Sequence, residues 1–140
     1  MELQDTLDSV AAGIRAIPLL ERLPVFAEDK GNIIENVNQS IARTSFCVVV
    51  GSPSYNDKTP DSGVCFGGVR LVVTIFEKPV LNRTKPNCLT YLRAAQTIAK
   101  AMKLFNTGDG LLVTKSIAPP KDLGDGVVAC DVSFELDTTL

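Results

Sequence analysis

Apolar positions recur at Leu3, Leu7, Val10, Ile14 and Ile17, in steps of four and three that lay one stripe along a helix. Asp5 and Asp8 fall in its early turns, where carboxylates suit the positive end of the helix dipole. Pro18 sets its stop, because the residue before a proline avoids the helical region. The short apolar run Leu23 to Ala27 predicts a strand that Pro24 confines to a sheet edge or a strand start. Glu28 to Asn32 reads as a turn, with Asp29 as candidate N-cap for a helix over about Asn32 to Arg43. That helix has Ile33, Ile34, Val37 and Ile41 on its buried side. Ser45 to Val50 is β-branched and nearly all apolar, as expected of a strand buried on both faces or central in a sheet.

Gly51 to Gly63 is rich in Ser, Pro, Asn and Asp and predicts a surface loop, either functional or disordered. Gly67 and Gly68 open the next strand and imply a bulge or a close backbone approach. Along that strand Val69, Leu71, Val73 and Ile75 make one apolar face, with Arg70, Val72, Thr74 and Phe76 on the other. A polar connector, Lys78 to Lys85, leads to a helix capped at Asn87 and running to Phe105. Its stripe is Cys88, Tyr91, Leu92, Ala95, Ile98, Ala99, Met102 and Phe105. A strand over Leu111 to Ile117, a long turn and a final strand complete the chain. In the final strand Val128, Cys130, Val132, Phe134 and Leu136 oppose Ala129, Asp131, Ser133, Glu135 and Asp137, an alternation that specifies register. The order α-β-α-β-β-α-β-β predicts a single α+β domain over residues 1–140, a mostly antiparallel sheet packed on one face by helices.

Composition narrows the chemistry. The chain has 140 residues, 45% of them hydrophobic and 21% charged, as in a soluble globular domain. A formal charge of -2 gives no general pull toward nucleic acid or anionic membrane. No apolar run approaches the roughly 20 residues that span a bilayer, and the N-terminus lacks the pattern of a signal peptide. With no histidine, the commonest acid-base group is missing and Ser-His or Cys-His pairs within one chain are excluded. The cysteines Cys47, Cys65, Cys88 and Cys130 show no C-x-x-C spacing and read as free, mostly buried thiols of a reducing compartment, with a disulfide as the weaker alternative. Nucleotide-binding fingerprints and the G-x-S-x-G elbow are absent, so an enzyme is not expected, and neither a cofactor nor a metal is implied. The acidic row Asp131, Glu135 and Asp137 is the sharpest surface feature. It reads as a solvated sheet face, a subunit contact or the wall of a channel; a cation site is the weaker alternative, since one straight strand seldom wraps an ion.

Two stretches carry a resemblance: Leu23 to Ile33 ahead of a helix, and Val73 to Arg83 with the helix after it. With the element order, they resemble the small tail terminator, or tail-completion, proteins of tailed bacteriophages and prophages. The resemblance implies a non-enzymatic virion protein of the tail, assembled in the host cytoplasm. Its subunits form a ring, usually of six, that caps the tail tube, stops its polymerisation and meets the head connector protein. DNA passes through such a ring without being read. Partners would be other copies of the chain, the tube protein and the connector, with no membrane. The connector residues Asn82 and Arg83, and the acids Asp131, Glu135 and Asp137, are then candidates for subunit contacts or channel lining. A tail tube or head-tail connector subunit remains an alternative. So do a ferredoxin-like domain holding a small ligand and a salt-sensitive nucleic-acid binder.

Overall fold

The computed structural model describes residues 2–29 and 31–140. Helix α1 (Leu3–Arg15) is followed by a short 3-10 turn at Pro18–Leu20, edge strand β1 (Val25–Ala27), α2 (Ile33–Thr44) and β2 (Phe46–Val50). Next come β3 (Ser54–Asp57), β4 (Phe66–Glu77), the single turn α3 (Pro79–Asn82) and α4 (Tyr91–Ala101). β5 (Val113–Ile117), β6 (Lys121–Asp122) and β7 (Val128–Thr139) close the chain.

The architecture is α+β, with one mixed sheet in the order β1-β2-β4-β7-β5. β4 is its spine. It pairs antiparallel with β7 from Phe66↔Thr139 through Glu77↔Val128. Its other margin is shared: β2 pairs with residues 73–77 and β3 with residues 67–70. β1 joins β2 in parallel, with Val25 opposite Val48, as Pro24 at an edge requires. The final strand takes the expected register. Cys130, Val132, Phe134 and Leu136 are all buried in the main core with Val69, Leu71, Val73 and Ile75.

α1 and α4 cover that face through Leu7, Val10, Ile14, Ala95, Ile98 and Met102. α2 lies on the other face. Its Ile33, Val37 and Ile41 look across a groove at Val49, Val72 and Thr74, the opposite parity of the same strands. The reason is topological: a parallel β1-α2-β2 unit needs a crossover helix, and crossover handedness fixes the face on which it packs.

Several local expectations change. Asn32, not Asp29, caps α2, its side chain accepting from the Glu35 amide at 3.3 Å. Asp29 instead accepts from Gln4 Nε2 at 2.6 Å, tying the turn to α1. Ile34 is 73% exposed, because the apolar side of α2 borders an open groove rather than a packed layer. α4 starts later than expected. Asn87 adopts a left-handed φ of 54°, and Thr90 is the cap, accepting from Arg93 N. Cys88 therefore precedes the helix, Leu92 is exposed, and Ala94 replaces it in the core. The helix ends at Ala101 because Leu104, at φ 59°, turns the chain toward Leu112, whose carbonyl accepts from Leu104 N. The 51–63 loop is half structured. β3 lies so close to β4 that a Cβ on Gly67 would fall on the Asn56 carbonyl oxygen, the close approach implied by the paired glycines. Beyond β3, Thr59 accepts from Phe66 N and donates to Val64 O, pinning the return of the loop.

Candidate functional site

Three neighbourhoods gather polar or exposed apolar side chains. The first is the connector after β4. Alternation carried one step past Ile75 puts Glu77 on the core face, and its carboxylate is indeed fully buried. Asn82 Nδ2 donates to it at 2.6 Å and Tyr91 N at 3.0 Å, while the Arg83 guanidinium lies 3.5 Å away. Asn82 also donates to Leu89 O at 2.8 Å, so one amide clamps both ends of the connector. Arg83 is half exposed and stands 5.9 Å from the centre of the Tyr91 ring. Of the two connector candidates, Asn82 is thus turned inward and Arg83 has its outer half in solvent. Sequence analysis did not single out Glu77; the signal that marks it is its parity.

The second neighbourhood is the acidic row of β7. Asp131 is half-buried and accepts from Thr74 Oγ1 at 2.7 Å. Glu135 pairs with Lys115 at 3.7 Å, and Asp137 with Lys58 at 2.7 Å. All three lie on one face, as the alternation requires, but each has a partner within the chain. Glu135 and Asp137 stay about half exposed, so these pairs are surface pairs that contribute little to stability. Glu135 and Asp137 lie toward the far end of the β4–β7 ladder from the connector cluster, opposite Arg70 and Gly68, whereas Asp131, opposite Thr74, lies three rungs from Glu77 and on the other face.

The third neighbourhood was not read from the sequence. A groove of about 760 Å³ opens on the second sheet face. Val49, Val72, Thr74 and Phe76 form its floor, α2 is one wall, and Leu123 to Val127 the other. Glu28, Arg70 and Asp125 stand at its polar margins. Leu123, at 55% exposure, faces Ile34 across this space without either being covered.

The thiols suit structural roles. Cys47 and Cys130 are buried, Cys88 is half-buried and Cys65 is exposed; all four are free. Burial pushes the Cys47 thiol up to about 12, which keeps it protonated and unreactive. Burial, helped by Asp131, also raises that of Cys130. Among the described residues no three of the acidic and cysteine side chains converge as a metal-binding group, and no helix is long and apolar enough to cross a membrane.

No family model matches the chain, and no curated protein sequence matches it. The fold does match. A chain of the virion of a native gene transfer agent (GTA) particle superposes with a TM-score of 0.67 at 12% identity, over 96% of this chain and 94% of that one. The likeness is one of fold, and it extends over nearly the whole of both chains.

Proposed function

We propose that this chain is a structural protein of a phage-like virion, and within it a tail terminator. It would form a ring, of six subunits on the family pattern, that caps the tail tube and joins it to the head connector protein. The observation that carries the reading is the full-length fold likeness to a chain of a gene transfer agent virion. Two features of the molecule support it. The sheet is open at both margins, β1 on one side and β5 on the other, and a head-to-tail ring needs two different contact surfaces. Glu135 and Asp137 are each paired with a lysine, Lys115 and Lys58, so this face offers no excess of basic groups to hold the DNA backbone, as a channel wall past which DNA slides requires. The proposed subunit contact at the connector falls to Arg83, while Asn82 holds the connector itself through Glu77 and Leu89.

Mass measurement in solution combined with negative-stain imaging tests the ring. The expected result is a closed, hollow oligomer that binds tube ends and stops their growth. Chains that stay monomeric at high concentration, alone and with tube protein, overturn it. Open-ended polymers, or capture by the connector protein alone, would instead assign a tube or neck subunit.

A second reading draws on the groove, whose size and apolar floor are those of a small-ligand site. A thermal-shift screen against apolar metabolites addresses it, and a flat response across the screen removes it.

A further inference from the structure

The groove and the opposite margin of the sheet are both apolar and carry opposite charges at their edges. The groove is concave and apolar on its floor, and its charged lining is Glu28, Asp125 and Arg70; two carboxylates against one guanidinium leave it acidic overall. The far margin, at the start of β5, carries an exposed apolar ridge: Leu104 is 58% exposed, Leu111 49% and Val113 44%. The antiparallel bridge Asn106↔Leu111, with Leu104 N donating to Leu112 O at 2.8 Å and Leu112 N to Phe105 O at 3.0 Å, brings Leu104 against residues 111–113. Lys100 and Lys103 flank the ridge, both exposed and neither in an ion pair within the described chain. Exposed leucines beside lysines thus mark the β5 margin of the sheet, and an apolar trough with an acidic rim lies over β2 and β4.

We propose that the Leu104–Val113 ridge of one copy seats in the α2–β4 groove of the next. The occupant is a second copy of this chain, with Lys100 and Lys103 meeting Glu28 and Asp125 at the rim. Sheet order places ridge and groove at different flanks: α2 belongs to the β1-β2 side, and the ridge lies at the start of β5. Such a contact is heterologous, leaving every copy one free ridge and one free groove until a ring closes. Exposed apolar patches rimmed by charge mark association surfaces, and both halves of this contact fit that description. The inference rests on the ring reading and specifies which surfaces make the ring.

Two variants test it, each at a solvent-exposed position, so the fold is retained; circular dichroism verifies that. Ile34→Asp spoils the groove lip and Leu104→Asp spoils the ridge. Sedimentation of either variant alone is expected to show monomer, with association weakened roughly thirty-fold or more, as for a buried anchor. Mixed one to one, they are expected to form a heterodimer and nothing larger, because the intact ridge of the first chain meets the intact groove of the second. Rings that persist in either variant overturn this contact and leave the ring reading standing. Homodimers of either variant show a two-fold contact and also overturn it. A wild-type chain that stays monomeric overturns both readings together.

Discussion

At the scale of single residues, the connector is governed by a buried carboxylate. Glu77 has no exposure, and both donors closest to it, Asn82 Nδ2 and Tyr91 N, would lose their acceptor if it were removed. Buried donors left unsatisfied cost about 1–3 kcal/mol each, so Glu77→Ala is expected to lower unfolding free energy by about 3 kcal/mol. Arg83 is half in water and 3.5 Å from the carboxylate, so Arg83→Gln is expected to cost about 1 kcal/mol or less. Urea denaturation of both variants ranks them, and the reverse order would remove Glu77 from the centre of the cluster. The ranking also determines how a subunit contact at Arg83 is to be probed. Arg83→Glu places a second carboxylate beside Glu77 and disturbs the connector itself, whereas Arg83→Gln removes the charge and keeps the fold. The parity of Glu77 was readable from alternation. Its donors were not, because the Tyr91 amide reaches it only once Asn87 has turned the chain and α4 has begun late.

At the scale of elements, period and composition revealed those that bury a full face. α1, β2, β4 and β7 lie within a few residues of where apolar spacing predicts them. β3 escaped, because Ser54 to Asp57 is polar and has no periodicity; it is a strand only because the edge of β4 is there to pair with. Gly67 is what permits that pairing. Gly67→Ala drives a methyl group onto the Asn56 carbonyl, so β3 must move away. Hydrogen exchange is expected to quicken at residues 54–57 and in the 58–65 loop while β4·β7 amides stay protected. Unchanged exchange at residues 54–57 would mean that the close approach is not what positions β3. The groove was illegible for a related reason. Its walls, α2 and residues 123–127, are far apart in sequence and meet only through the sheet, so the apolar side of α2 reads as core when it borders open space.

At the scale of the whole molecule, the sheet is open at two margins and carries helices on both faces. What ties the sheet together is the ladder in which all twelve residues of β4 face β7. The two strands run antiparallel, so Phe66 lies beside Thr139 at one end and Glu77 beside Val128 at the other. A force applied at Phe66 and Val128 slides the strands past one another and loads every rung at once. The same force at Phe66 and Thr139 peels the rungs singly. Single-molecule pulling through handles at these two pairs of positions is expected to give a markedly higher rupture force for the first, and equal forces would mean that the ladder is not the mechanical spine. A molecule gripped at opposite ends of this ladder would resist tension along the strands while staying easy to open from one end, which makes its toughness a matter of direction.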